Sequence, residues 1–199
     1  MTKRLSSKYS VCKKLTNSYK NLWGLKKKDS CRYILNKVKK KSTPFGRLLD
    51  TKQSLKLFYS NLGEGCFKNS VRLSLKSPSK TLDKLISILE SRLDSALFRS
   101  CLVNSFQEAR QLINHGYVYV NGVRSKLPGK KMSKGDIIDI DNRFLLKSNF
   151  PEVLNSRSLP SYLELDFLNF RFVFLWDSNL RNSYYPLKMN YSNIIRFYR

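Results

Sequence analysis

The sequence predicts an α+β protein with three parts: a mainly helical, strongly basic amino-terminal region, an inserted αα-β unit, and β-strands towards the carboxyl end. Three observations carry this. Apolar residues recur at helical spacing between residues 46 and 113. Strand-type runs and turn signals dominate after Gly116. The 199 residues hold 38 Lys+Arg against 14 Asp+Glu, a formal charge of +24, and residues 1–50 alone contribute +13 of it. A hydrophobic share of 41% with 13% aromatics argues for a folded chain, since a disordered one of this charge would be poorer in both.

Residues 1–45 read as a basic arm. Lys13-Lys14, Lys26-Lys27-Lys28 and Lys39-Lys40-Lys41 are interleaved with Tyr9, Tyr19, Trp23 and Tyr33. Lysines displace the counterions condensed on a nucleic acid, and aromatic faces stack on its bases. A solvated tail or a mitochondrial transit peptide would share the basic, acid-poor start. However, the basic composition runs past residue 30, and Leu22-Trp23-Gly24-Leu25 sits inside it like an anchor to a core. Residues 46–90 form a helical region. Leu48, Leu49, Leu55, Phe58 and Leu62 predict a helix over 48–62, ending near Gly63 and Gly65. Thr81 is placed to cap a second helix whose core stripe is Leu82, Leu85, Ile86, Leu89 and Leu93.

Residues 91–150 form the αα-β unit. Leu93, Ala96 and Leu97 share a helical face, and Asn104-Ser105 breaks that helix. Ser105 to Glu108 is a capping box opening another, with Ala109, Leu112 and Ile113 inward and a stop at His115-Gly116. Tyr117–Val120 has strand chemistry, Asn121-Gly122 is a hairpin turn, and Pro128-Gly129 and Lys134-Gly135-Asp136 mark turns before a strand at 137–140. In residues 151–199, Tyr162–Phe167, Phe170–Trp176 and the closing Ile194–Arg199 predict strands that pack back on the body.

A charge of this size selects a polyanionic partner: nucleic acid first, an anionic membrane surface second. No run of about 18 apolar residues is present, so no membrane span is predicted. Cys12, Cys31, Cys66 and Cys101 form no Cys-x-x-Cys pair and His115 is the lone histidine, so neither a metal site nor a disulfide framework is expected. No cofactor and no small-molecule substrate are implied.

Within 91–141 the run Arg92-Leu93-Asp94, Arg99, Ser105, Glu108-Ala109-Arg110-Gln111-Leu112, His115-Gly116, Val120-Asn121-Gly122, Pro128 and Gly135-Asp136 resembles the S-four RNA-binding domain in register over 45 residues. The resemblance extends outward. Lys3-Arg4, Lys8-Tyr9 and Asn21-Leu22-Trp23-Gly24 are similar to the start of the small-subunit ribosomal protein S-four family, of the alphaproteobacterial and mitochondrial type. Residues 45–68 are similar to its central helices, and Leu159–Asp166, Tyr185-Pro186 and Phe197-Tyr198 to its closing segment. The family's usual Gly in the first helix–helix turn is Cys101 here, the basic residue after the capping Ser is Phe106, the one after Val-Asn-Gly is Val123, and its Gly-rich stretch before the central helices is replaced by residues 39–45.

The resemblance implies a structural, non-enzymatic RNA-binding protein. It would bind a multi-helix junction in the 5′ domain of small-subunit rRNA early in assembly, beside an S-five-type ribosomal protein and the path by which mRNA enters. Arg92, Arg99 and Arg110 are the expected phosphate contacts, because an arginine fork holds a phosphate with two bonds. Ser105, His115, Asn121 and Arg124 would add hydrogen bonds, Lys126, Lys130 and Lys131 point charges, and Lys3, Arg4, Lys8, Tyr9, Lys13, Lys14, Trp23 and Lys26 the arm's contacts. Arg92 could instead pair with Asp94 or Glu90, His115 could cap carbonyls, and Asn121 is first a turn former. Lys130-Lys131-Met132-Ser133-Lys134 matches an aminoacyl-tRNA synthetase signature, but no βαβ pattern precedes it. An rRNA-modifying enzyme built on the same domain would need a catalytic domain, and only about 60 residues follow, without a recognisable acid pair. An RNA chaperone or rescue factor would not need the 46–90 helices. Only Ala96 and Ala109 are alanine, as in an A+T-rich organellar genome, so a mitochondrial, organelle-encoded origin is expected, with plastid or bacterial cytoplasm as alternatives.

Overall fold

The computed structural model describes residues 43–141, 159–183, 185 and 190–198. They form an α+β architecture of six helices and one five-stranded antiparallel sheet. The described residues divide between two compact units, one of residues 43–67 with 185 and 190–198, the other of residues 68–141 with 159–183. Among the described residues no helix is long and apolar enough to cross a membrane.

In the first unit, Thr43 caps helix α1 (Pro44–Phe58): its Oγ1 accepts from Gly46 N at 3.1 Å, and Pro44 supplies a ready-set φ at the first helical position. The helix thus starts four residues before the predicted Leu48. It ends at Phe58 because Ser60 and Asn61 turn left-handed, with φ of 56° and 53°, so Leu62 is buried beyond the helix rather than on it. Helix α2 (Glu64–Lys76) follows, and the unit boundary falls inside it.

The closing residues correct the strand expectation. Ser192–Tyr198 is a helix, labelled α6, with Ile194 fully buried. It packs along α1, with Phe197 5.8 Å from Phe45 and the Lys52 ammonium 4.1 Å above the Phe197 ring. Glu64 gathers Lys56 at 2.5 Å, Lys52 at 3.1 Å and the Tyr198 hydroxyl at 2.5 Å.

The second unit holds α3 (Thr81–Glu90), α4 (Leu93–Arg99), α5 (Phe106–His115) and strands β1 (Val118–Val120), β2 (Val123–Arg124), β3 (Ile137–Ile140), β4 (Leu163–Asp166) and β5 (Arg171–Phe174). The sheet order is β2-β1-β3-β5-β4. Leu85, Ile86, Leu89 and Leu93 are buried as their stripe predicts, yet the helix stops at Glu90 and Leu93 opens a new one. Thr81 does not cap: the N-cap is Lys80, without a side-chain bond. On the sheet's inner face Val120, Ile138 and Phe172 stand opposite one another and are buried, while Phe98 and Phe106 stack at 4.0 Å between α4 and α5.

Candidate nucleic-acid interface

Local signals place the interface residues. Ser105 Oγ accepts from Glu108 N at 3.2 Å, a cap worth about 1 kcal/mol. Glu108 reciprocates one residue further out than a standard box, accepting from Asn104 N at 2.7 Å. Gly116 then ends α5 at φ +77°, a conformation that favours glycine, and a Cβ there would lie 2.8 Å from Arg124 Nε, so a larger residue would be strained and would push the Arg124 side chain aside. Arg124 Nε donates to the Gly116 carbonyl at 2.6 Å, which ties the β2 edge to the helix end. The turn where the family carries glycine has Cys101 at φ +62°, a left-handed residue that explains why glycine is usual there.

Asn121 forms a second staple. It sits at φ +53° with Gly122 at +76°, the tight-turn conformation its sequence announces. Its side chain donates to Asp136 Oδ1 at 2.9 Å and accepts from Ile137 N at 2.9 Å, while Asp136 Oδ2 accepts from Ser133 N at 2.7 Å. Hairpin turn and the 133–136 turn are thereby one rigid piece.

The segment 127–132 is stitched onto the start of α4. Leu93 N donates to Lys130 O at 2.9 Å, Asp94 N to Pro128 O at 3.1 Å, and Met132 N to Ser91 O at 2.7 Å. Arg92 and Lys131 form a β-bridge across this seam. Exposed Lys130 and Lys131 are therefore delivered beside Arg92, with Met132 buried beneath them.

The three arginines expected at phosphates part company here. Arg92 turns its guanidinium onto Asp94, Nε to Oδ1 at 3.0 Å and Nη2 to Oδ2 at 2.9 Å. Arg110, from α5, adds Nε to the same Oδ2 at 2.9 Å. Both stay partly exposed, 14% and 23% by side chain, whereas Asp94 is 1% exposed. The internal pairing considered for Arg92 is thus real, with Asp94 as its partner, and coexists with a surface position. Arg99 requires a correction. It is 9% exposed and grips the fully buried Glu90 with two bonds, Nε to Oε2 at 3.0 Å and Nη2 to Oε1 at 2.7 Å, so it faces the core and not solvent. Tyr162 donates its hydroxyl to the same Glu90 Oε2 at 2.9 Å. Burial, and then the Glu90 charge, push that phenol's pKa well above its usual range.

Of the remaining expected contacts, His115 is exposed with its ring 6.2 Å from Tyr117, and the backbone of Gly116 and Tyr117 supplies the helix-end bonds instead. Lys126 is exposed, and Ser105 is buried as a cap. Lys3, Arg4, Lys8, Tyr9, Lys13, Lys14, Trp23 and Lys26 lie outside the described residues. Tyr162 is a participant for which the sequence offered no role, whereas Asp94 and Glu90 entered only as possible partners of Arg92. Among the described residues no cluster of three His, Cys, Asp or Glu side chains is placed to hold a metal ion.

This platform matches known proteins. Residues 91–138 match the family model of the S4 domain. The small ribosomal subunit protein uS4 of Rhodospirillum rubrum is 31% identical over 205 residues, covering 100% of this chain and 99% of that protein. This chain belongs to the uS4 family. The uS4 proteins of Phenylobacterium zucineum and Caulobacter vibrioides are each 32% identical over 206 residues, again across all of this chain and 99% of theirs. The uS4 likeness therefore includes the basic arm and the closing segment, and not the S4 domain alone.

Proposed function

We propose that the chain is a structural constituent of the small ribosomal subunit that binds small-subunit rRNA. The geometric observation that carries the reading is the seam of 127–132 on α4, which sets Arg92, Lys130 and Lys131 side by side on a frame that local bonds hold rigid. Such a frame reads shape: preformed cations meet phosphates converging at a multi-helix junction, whose irregular backbone is more accessible than the deep groove of regular A-form RNA. Arg110 joins this face beside Arg92, His115 and Lys126 add exposed donors, and Asn121, Ser105 and Arg124 hold the turns that aim them. Residues 91–150 are the docking unit, 46–90 and 151–199 the body, and the arm 1–45 the main source of phosphate neutralisation, since it carries +13 of the +24.

The junction we assign to it lies in the 5′ domain of the rRNA, bound early in assembly, beside an S-five-type protein and the path by which mRNA enters. The role is non-catalytic and needs no cofactor. The scarcity of alanine favours a mitochondrial ribosome, while the alphaproteobacterial relatives are equally compatible with a bacterial cytoplasm. Binding of a 5′-domain junction fragment, followed as salt rises, tests the reading. Removing residues 1–45 should flatten the dependence of log affinity on log salt more than any single change within 91–141. An equal slope with and without the arm would reject its role, and the absence of binding would reject the function.

A further inference from the structure

We infer that the outer face of strands β3, β5 and β4 is a docking surface for a second protein, one that presents Lys or Arg side chains around an apolar residue. Resting on the ribosomal function just proposed, this gives the sheet a task that RNA does not fill. Strand alternation sorts the residues. Ile138, Ile140, Phe172 and Phe174 point inward and are buried, so Ile137, Asp139, Arg171 and Val173 share the outer face. Strand β4 adds Glu164 opposite Val173 and Asp166 opposite Arg171. The outer face therefore carries two rungs, Asp139–Arg171–Asp166 and, one step along, Ile137–Val173–Glu164.

Charge decides the class of partner. Three carboxylates and one guanidinium stand on these rungs, in a chain whose basic residues outnumber its acids 38 to 14. The guanidinium is already engaged, since Arg171 Nε donates to Asp139 Oδ1. A phosphate approaching this face meets net negative charge, the reverse of the lysines at 130 and 131, so the face selects against RNA. Its apolar content suits protein instead. Ile137 is 38% exposed and stands directly opposite half-buried Val173, with the acids bordering the pair. Leu168 extends the surface at the β4–β5 turn, where it is 89% exposed. Asp166 orders that turn: Oδ1 accepts from Leu168 N at 3.0 Å and Oδ2 from Asn169 Nδ2 at 2.7 Å. A turn ordered in advance costs little to immobilise on binding. Single exposed apolar residues are ordinary, but an apolar pair set in a patch of inverted charge has the anatomy of a protein contact, an apolar centre with a polar rim. The sign of the rim specifies a basic partner, because complementary charge sets which surfaces pair.

The test turns on opposite signs. Glu164→Lys reverses one charge of the rim and raises the net charge from +24 to +26, so RNA affinity should hold or rise while docking weakens. Small subunits are reconstituted from small-subunit rRNA and the complete set of small-subunit proteins, with the full-length variant competing against the unaltered chain. Incorporation of Glu164→Lys should fall roughly tenfold, the cost of like charges brought together across an interface. Its affinity for a 5′-domain junction fragment should not fall. Equal incorporation of a variant with native circular dichroism overturns the proposal, as does an equal loss on the fragment alone. Hydroxyl-radical footprinting of the unaltered chain measures the same face without substitution. Oxidation of Ile137 and Leu168 should be alike in the free chain and on the fragment, and drop several-fold in the assembled subunit. Protection by the fragment would make the occupant RNA, and oxidation already as slow in the free chain would make it a segment of this chain. Either result, or no protection in the subunit, overturns the proposal. Failure of the unaltered chain to bind the fragment would instead reject the RNA-binding function on which the docking rests.

Discussion

Glu90 and Asp94 stand four residues apart, both essentially buried, and both held by arginine, yet their surroundings put the same chemistry to different uses. Glu90 lies at the end of α3 and receives Arg99 and Tyr162, so its ion pair ties a helical turn to the start of the closing strands within the core of the second unit. Asp94 receives arginines from two positions that reach the surface, and its pair ends at the rim. A buried ion pair is weak evidence of net stability, since desolvation costs about what attraction returns, but removing one partner leaves an uncompensated charge and is strongly unfavourable. What differs is exposure: the Arg99 side chain is 9% exposed, that of Arg92 14% and that of Arg110 23%.

The largest expected effect follows from the inward pair. Arg99→Ala should cost about 3–5 kcal/mol of folding stability, because Glu90 has no exposure through which water could replace the guanidinium. Denaturant unfolding measures it. A loss under about 1 kcal/mol, or a variant with native stability and weakened RNA binding, would reverse the contrast and return Arg99 to the interface.

The outward pair should respond in the opposite order. Arg92→Ala and Arg110→Ala each leave Asp94 one arginine, so their stability cost should be well below that of Arg99→Ala, whereas junction RNA binding should weaken by roughly 1–3 kcal/mol each. Filter binding against a junction fragment at fixed salt distinguishes the two classes. Unchanged affinity in both variants would reject this face.

The same comparison shows which parts of the molecule sequence reasoning can reach. Ser105, Gly116 and Asn121-Gly122 act on backbone groups within four residues or on their own φ, so their residue types alone announce the cap, the stop and the turn. Arg99 offers no such signal. All seven residues of α4 are buried, so the helix has no polar face against which an inward arginine would stand out, and one partner of its acid, Tyr162, is 72 residues away from Glu90. The stripe through Leu93 predicted burial correctly but not the break at Glu90–Arg92, which depends on segment 127–132 bonding to the α4 start. The closing Ile194–Tyr198 looked like a strand because a short β-branched and aromatic run fits either period. Packing along α1, with Phe197 beneath Lys52, makes it a helix.

That closing helix gives the smallest effect, and one with a defined pH signature. The Lys56 ammonium first, and the Tyr198 hydroxyl next, hold the Glu64 carboxyl at about 2, below its usual 4.5 and against a smaller opposing push from burial. Burial, and then the bond to Glu64, raise the Tyr198 phenol in turn. Because the folded value is depressed, the ionised carboxylate stabilises the fold fully above about 4.5, and this contribution fades as pH falls towards about 2. Glu64 is 49% exposed by side chain, so water screens its pairs and the contribution at neutral pH should stay near or below about 1 kcal/mol. Glu64→Gln keeps a hydrogen-bonding side chain and removes the charge. Its melting temperature should therefore fall slightly below that of the unaltered chain at pH 7, and the two should converge on acidification to pH 2. A constant offset across that range would mean that Glu64 holds α6 to α1 through shape and not through charge.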